Sequence, residues 1–386
     1  MVLGDRAPGS GASSNNAGWI VPAESGPVPG PGIVLQTLRW MLRRDSPVYV
    51  RPSISPSFLA FMARMLRSCN AASYWRAFDA TVRLADGTMD ELDAWAADGV
   101  SFEMHHGGEL RAFVTEREFR AAESGLDHVR RAGFEPEVLT GAEARALVPE
   151  LSDEVVHAVR YPNERHVRPA SLVDGLVRRC RELGVEIVEN RVEKARALPS
   201  GGVELHGPAG SVRADVCVVA AGAWSARVAR LFGATLPIRP GKGYSVDYAP
   251  APLGIRTVVM LSEAHCAVTP LDGATRVAGT MEFGPLDETI NAIRVRAIRE
   301  APRRYFRNWD QEAPSLAPTA GLRPMTPDGL PVIGRLHPYG NVYAASGHAM
   351  LGVTLAARTA SELAGMIVDG GTPEVLEPFS PRRFGA

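Results

Sequence analysis

The stretch Gly321-Leu322-Arg323-Pro324-Met325-Thr326-Pro327-Asp328-Gly329-Leu330-Pro331-Val332-Ile333-Gly334 holds one cation, Arg323, among prolines and glycines. A guanidinium is planar and always charged, and its fork meets a carboxylate through two parallel hydrogen bonds. Arg323 is therefore a candidate clamp for an anionic group, set against the plainer reading of a surface ion pair. Soon after it, Asn341-Val342-Tyr343-Ala344-Ala345-Ser346-Gly347-His348-Ala349-Met350 reads as an apolar strand that breaks at Ser346-Gly347. A helix from Leu351 to Val368 is expected to follow, opened by Gly347, His348, Ala349 and Met350, with no acid in its first turn. Strand, glycine turn and helix N-terminus together suit an electron-rich ligand, because free N–H groups and the helix dipole favour negative charge.

The elements that must position these residues can be read along the chain. Met1-Val2-Leu3 looks like the end of a strand, with Asp5 and Arg6 directly after it. Ser10 to Gly18 is small and hydroxyl-rich, and includes Ser13, Ser14 and Asn16. Such a segment either lets backbone approach a ligand closely or forms a flexible tail. Helical periodicity is expected over Ile33–Arg44 and Phe58–Arg67, the latter with Phe58, Phe61, Met62, Met65 and Leu66 on one face. Further helices are expected over Tyr74–Asp98, Glu116–Ala132, Thr140–Leu147 (with a capping box), Ala170–Leu183 and Leu286–Tyr305. Val100 to Thr115 alternates around Gly107-Gly108 and reads as a β-hairpin.

Val185–Val188 reads as the strand of an α/β unit. Val216 to Trp224 is a fully apolar strand that ends in small residues, as a buried parallel strand beside a cofactor would. From Ile238 to Glu282 short strands and turns point to an antiparallel sheet and a second domain.

Bulk properties narrow the class. With 386 residues, 45% hydrophobic and 22% charged, the composition is that of a two-domain globular protein. A net charge of −1 gives no electrostatic case for nucleic acid. All but two of the 42 basic residues are arginine, the lysines being Lys194 and Lys242. The four cysteines are far apart with no CxxC, so neither a disulfide framework nor a metal site is expected, which fits a reducing compartment. No apolar run is long enough to span a bilayer and no signal peptide is visible. Seven arginines and a single acid between Ile33 and Phe78 read either as a basic surface for an anionic membrane or as a solvated helical subdomain.

Several motifs in order carry a family resemblance: Ser13-Ser14-Asn15-Asn16-Ala17-Gly18; Pro162-Asn163-Glu164 with Pro169; Val219-Ala220-Ala221-Gly222-Ala223-Trp224-Ser225; Pro240-Gly241-Lys242-Gly243-Tyr244-Ser245; Gly321 to Gly334; and Ser346-Gly347-His348. Together they resemble the FAD-dependent D-amino-acid dehydrogenases, within the wider group of glycine- and D-amino-acid-oxidase-like flavoproteins. The resemblance runs from about Asp5 to the C-terminus. It implies an α/β fold: a Rossmann-like FAD-binding domain (1–40, 150–236, 322–386) interleaved with an α+β antiparallel-sheet substrate domain (41–149, 237–321).

It also implies residue roles. Arg323 would clamp the substrate carboxylate. Tyr244 would bond that carboxylate or cover the site, and Lys242 would reach flavin or substrate through water; for each the plainer reading is an ordinary sheet residue. Asp5, beside Arg6, would bond the adenosine ribose, and the Val192 backbone the adenine. Ala221 and Gly222 would pack on the dinucleotide, with Ser13, Ser14, Asn16 and Gly18 as further cofactor contacts. Gly347, His348, Ala349 and Met350 would face the flavin N1–C2=O edge, through backbone rather than acid–base chemistry. The implied reaction is oxidation of a D-amino acid to a 2-oxo acid and ammonia, with electrons passed to a quinone or other respiratory acceptor. The implied place is the cytoplasm, with peripheral contact at the inner face of the membrane. Related oxidation of glycine, sarcosine or hydroxyproline, and a remnant unable to bind FAD, are the alternatives.

One departure is plain. The family opens with a strand and a Gly-x-Gly-x-x-Gly turn that cradles the pyrophosphate, and no such motif occurs in this sequence. The resemblance places that βα unit, about 25–30 residues, before Met1. The expected consequence is a slot between two unpaired strand edges.

Overall fold

A computed structural model describes residues 1–32, 46–198 and 201–385. The helix expected over Ile33–Arg44 and the domain boundary at 40/41 lie outside the described residues.

Short apolar strands form two small parallel pairings. β1 (Val2–Gly4) runs parallel to β9 (Ile187–Glu189), with Val2 opposite Ile187. β13 (Cys217–Val219) runs parallel to β20 (Val342–Ser346), which takes β19 (Val332–Arg335) antiparallel on its other side. The two groups do not join into one sheet. Among the described residues, one edge of β1 and one edge of β13 have no strand beside them. Val218 is 40% exposed, although its run reads as fully buried in the sequence.

The larger sheet is nine-stranded. Its strands are β3 (Val48–Val50), β5 (Glu109–Phe113), β6 (Glu137–Thr140), β7 (His157–Tyr161), β14 (Arg239–Tyr248), β15 (Val258–Leu261), β16 (Cys266–Leu271), β17 (Ala274–Phe283) and β18 (Thr319–Met325), in the order β18-β14-β17-β16-β15-β5-β7-β6 with β3 beside the end of β17. Two smaller antiparallel sheets complete the set. One is β2 (Trp19–Ile20), β8 (Arg165–Val167) and β4 (Met104–His105); the other is β10 (Lys194–Ala197), β11 (Val203–Gly207) and β12 (Gly210–Ala214). β7 and the Arg323–Met325 end of β18 belong to the larger sheet, so the ranges 150–236 and 322–386 both contribute to it.

Helices cover these sheets. α1 (Pro56–Ser68) buries Phe58, Phe61 and Met65 against Met281, Phe283 and Met325. Leu66, expected on that face, is 52% exposed. The helix expected over Tyr74–Asp98 is two, α2 (Ala71–Ala85) and α3 (Thr88–Ala97), because Gly87 turns left-handed at φ 75° between them. Glu116–Ala132 is likewise split into α4 (Glu116–Glu123) and α5 (Leu126–Arg131) around Gly125. The capping box of α6 (Gly141–Leu147) is present, Thr140 and Glu143 bonding each other's backbone. α7 (Pro169–Glu182) precedes β9, α8 (Ser225–Leu231) follows β13, and α9 (Ala292–Glu300) packs on the larger sheet. α10 (Gly352–Asp369) lies against α2 and α3 and stops at Gly370, φ 76°.

The hairpin expected over Val100–Thr115 does not form: β4 pairs with β8, while β5 pairs with β7 and β15. The Gly107-Gly108 turn is tied elsewhere. The Gly108 N–H donates to the Glu164 carbonyl at 3.1 Å, and a Cβ on Gly107 would meet the Arg256 carbonyl at 2.0 Å.

Phe283 is 1% exposed where α1 meets the sheet. Phe283→Ala is expected to cost about 3–5 kcal/mol, read as a lower urea midpoint with an unchanged m-value. A cost under about 1 kcal/mol would show that α1 is not packed there.

Candidate functional site

Strand alternation sorts the residues on β14 and β18 onto two faces. In their antiparallel register Arg323 lies opposite Gly241, and Gly321 opposite Gly243. One face therefore carries Gly241, Gly243, Ser245 and Asp247 with Gly321, Arg323 and Met325. The Arg323 guanidinium lies over Gly243, where a Cβ would fall 2.2 Å from Nη1 and 2.3 Å from Nη2. A Cβ on Gly241 would fall 2.5 Å from Met281 Sδ and 2.7 Å from Met325 Cγ. Arg323 Nη1 donates to the Thr280 carbonyl at 2.8 Å. That carbonyl is turned to it by a bulge at the Lys242/Tyr244 register shift, where Thr280 has φ 63°. Among the described residues no carboxylate ion-pairs with Arg323, and burial pulls its pKa down to about 10. A cation satisfied by a carbonyl and a thioether sulfur can still accept an anionic partner.

Tyr244 and Lys242 point to the opposite face. Tyr244 is 1% exposed in the core shared with α9, and its hydroxyl donates to Glu282 Oε2 at 3.0 Å. Burial, with Glu282 beside it, raises the phenol pKa. Lys242 Nζ donates to the Thr289 carbonyl at 3.0 Å and lies 3.6 Å from Asp287 and 3.9 Å from Glu282. Sequence proximity grouped these two with Arg323; the pleat separates them from it.

The turn Gly347–Met350 comes to Arg323 through its neighbour, the Ala349 N–H donating to the Pro324 carbonyl at 3.1 Å. Gly347 has φ 82°, and a Cβ there would lie 2.8 Å from Thr326 Cγ2. Ser346 Oγ donates to the Gly222 carbonyl at 3.0 Å, which brings the Ala221-Gly222 turn to the same place. Gly222 has φ 52° and nothing within 4 Å of where a Cβ would stand. α10 begins at Gly352, so Gly347–Met350 precede the helix rather than open it. His348 Nε2 lies 3.0 Å from Thr359 Oγ1, and burial pushes its pKa from 6.5 down to about 4. It is neutral at pH 7.

Asp5 stands just beyond β1, 3.6 Å from Arg191 Nε, and Val192 just beyond β9. Arg6 donates to Glu288 Oε2 at 2.7 Å and sits 5.1 Å above the Trp224 ring. Asp5, Val192, Ala221-Gly222 and Gly347 thus all follow the carboxyl ends of parallel strands, where open α/β sheets take ligands.

The N-terminal segment, readable as a loose tail, is laid along the Arg323 face. Arg276 Nη1 donates to the carbonyls of Ser14 (3.1 Å) and Asn16 (2.8 Å) while Arg276 pairs with Asp247 at 2.7 Å. Asn16 Nδ2 donates to the Ser13 carbonyl at 2.5 Å, and the Gly18 N–H to Asn16 Oδ1 at 2.6 Å. Gly18 has φ 81°, and a Cβ would lie 2.1 Å from the Val167 carbonyl.

The residues sequence reasoning missed are Gly241, Gly243, Thr280 and Met281. A signal for the first two was present: glycines two apart in a strand strip one face of side chains. These strand ends and bare glycines gather Asp5, Val192, Gly222, Gly347 and Arg323 as the candidate ligand site.

The profile of the DAO, FAD dependent oxidoreductase, family matches residues 1–366. A D-amino acid dehydrogenase of Methylobacterium sp. (strain 4-46) is 31% identical, covering 98% of this chain and 92% of that protein. One from Cereibacter sphaeroides is 32% identical over 97% of this chain and 87% of that protein. Among solved structures, glycine oxidase from Geobacillus kaustophilus superposes with a TM-score of 0.74 at 23% identity, covering 98% of this chain and 90% of that one. Iminodiacetate oxidase from a Chelativorans species gives 0.72 at 20% identity, over 98% and 91%.

A depressed His348 pKa has a signed consequence. The unfolded chain takes up its proton below pH 6.5, whereas the folded chain does so only near pH 4. This share of stability is full above pH 6.5 and is lost as pH falls toward 4. His348→Gln should make the fall in urea midpoint across that window shallower; an unchanged slope would show that the ring is not held neutral.

Proposed function

Since the chain belongs to the FAD-dependent oxidoreductase family, with FAD as its cofactor, we propose that it oxidises a D-amino acid to the 2-oxo acid and ammonia and passes the electrons to a quinone or other respiratory acceptor. The observation that carries this reading is Arg323: a charged fork over a bare glycine face, without a carboxylate partner among the described residues, beside the Gly347–Met350 turn. The names of the relatives supply the D-amino acid.

Bound FAD supplies the acceptor for hydride from the substrate Cα. The chain's own residues do the rest by binding and orientation. Arg323 holds the substrate carboxylate bidentately and so fixes where Cα sits. Asp5 bonds the ribose, the Val192 backbone the adenine, and Ala221 and Gly222 pack on the dinucleotide. Ser13, Ser14, Asn16 and Gly18 bring backbone to its flank. Arg6, through Glu288 and Trp224, steadies the turn at Gly222. The Gly347, His348 and Met350 amides face the flavin, whereas that of Ala349 is taken by Pro324. Tyr244 and Lys242 act from the opposite face as positioning residues: through Glu282 they brace the bulge that presents Thr280 to Arg323. The cofactor part is read as 1–40, 150–236 and 322–386, and the substrate part as 41–149 and 237–321.

Peripheral membrane contact would use the outer side of α1. Leu59 and Leu66 are exposed there beside Arg64 and Arg67, with Ile54 just before the helix. No helix among the described residues is long and apolar enough to cross a membrane.

In a panel of D- and L-amino acids, glycine, sarcosine and hydroxyproline, D-isomers are expected to reduce a quinone analogue and yield the 2-oxo acid. Preference for glycine or sarcosine with O₂ would replace this reading with that of an amine oxidase. Arg323→Ala should raise KM for the amino acid about 10–100-fold, the worth of a charge-assisted bond, with flavin retained; unchanged kinetics would remove Arg323 from the clamp. Cosedimentation with anionic liposomes is expected at low salt and should fade at high salt. No binding at low salt would end the membrane reading.

A further inference from the structure

The motif Pro162-Asn163-Glu164 lies between β7 and β8, at the other end of the larger sheet from β18. It brings a carboxyl into a group drawn from three parts of the chain. Glu109 and Arg111, two apart on β5, share one face of that strand. Glu24 ends the single turn Pro22–Glu24, which follows β2. Arg111 Nη1 donates to both oxygens of Glu24, at 3.1 and 3.3 Å. Glu164 Oε1 accepts the Ala23 N–H at 2.9 Å.

Charge and burial do not balance here. Glu109 is 0% exposed, and neither of its oxygens has a hydrogen-bond partner. Glu164 is buried too, and its Oε2 has none. Arg111 is the only cation beside them among the described residues, and Glu24 takes it. Tyr161 from β7 and Tyr74 from α2 face the group as neutral phenols. His265, in the turn between β15 and β16, lies near Arg111 and Glu263 rather than near either carboxyl. A carboxylate buried without a cation or a donor is neutralised by taking up a proton. Burial, with Glu24 and Glu164 beside it, lifts the Glu109 pKa well above the carboxylate range. Burial lifts that of Glu164 to about 8, against the pull of the Ala23 N–H.

We propose that Glu109 and Glu164 form a proton-held latch that keeps the turn Pro22–Glu24 seated at neutral pH and lets it go as the two carboxyls ionise. While they are neutral, Glu24 has Arg111 to itself. Once they are ionised, three carboxylates share one guanidinium, and like charges out of water repel strongly. Glu109 cannot retreat, because β5 is paired with β7 on one side and with β15 on the other. Pro22–Glu24 is one turn with no side-chain cap, so it is the element that yields. It continues the segment that Arg276 holds along the Arg323 face, and its release frees the end of that segment.

The sign of the effect follows from linkage. The unfolded chain gives up the Glu164 proton near pH 4.5, whereas the folded chain keeps it to about 8. This share of stability is whole below pH 4.5 and is lost as pH rises to about 8. His348 acts in the opposite sense, and its share is constant above pH 6.5.

Urea midpoints of the full chain, taken between pH 6.5 and about 8.5 where His348 is silent, test the latch. In wild type the folded-to-unfolded ratio should fall about 10-fold per pH unit for each proton still held, and the hydrogen-exchange protection factor of the Ala23 amide should fall with it. Glu109→Gln and Glu164→Gln keep the shape of the neutral acids and cannot ionise. Each should make the fall in midpoint shallower and hold Ala23 protected at the alkaline end. Glu164→Gln reads the latch even where the Glu109 variant does not fold. An unchanged slope in Glu164→Gln, or wild-type Ala23 protection that does not fall with pH, would overturn the proposal.

Discussion

The space over Gly243 is the constraint on which the candidate site rests. A single methyl group there would overlap the Arg323 guanidinium, and one on Gly241 would overlap Met281 and Met325. Glycine in a strand interior weakens the strand, since it adds no packing and gives up more freedom on folding. β14 offsets that cost on its other face, where Tyr244, Val246 and Tyr248 lie in the largest apolar core, and on both edges, where β17 and β18 pair along its length. One strand can thus be bare on the Arg323 side and densely packed on the other.

Charge is distributed to match. Arg276 is buried but fully paired, with Asp247 as counter-ion and the Ser14 and Asn16 carbonyls as acceptors. A buried pair of this sort holds geometry more than it adds stability, and what it holds is the N-terminal segment against the sheet. Arg323, two strands away on β18, is given a carbonyl and, among the described residues, no anion. The difference between the two arginines is that one has a carboxylate counter-ion and the other, among the described residues, has none. His348 adds no charge, since burial keeps it neutral.

Much of the architecture was legible because it rests on local chemistry. The Thr140–Glu143 capping box, the apolar strands at Cys217–Val219 and Val342–Ser346, and the long helix that stops at Gly370 follow from caps, apolar runs and glycine. The misreadings share a cause. Val100 to Thr115 has the alternation of a hairpin, yet its two halves found better partners in β8 and β7. The Tyr74–Asp98 helix was broken by a single left-handed glycine. Alternation and periodicity describe a segment's own faces, and the choice of neighbour is made elsewhere in the chain.

The same holds at the site. The sequence by itself determined the family, the FAD chemistry and the residue types, because the motifs at Ser13–Gly18, Val219–Ser225 and Gly321–Gly334 carry their meaning in local order. It also placed Asp5 after one strand and Gly347 at the break of another. Only the tertiary structure decided that Asp5, Val192, Gly222 and Gly347 all follow carboxyl ends of paired parallel strands, and that Arg323 and Tyr244 face opposite ways. A strand's pleat is fixed by its backbone, but which side faces a ligand and which a core depends on register with β14 and β18, and register is a property of the packed sheet.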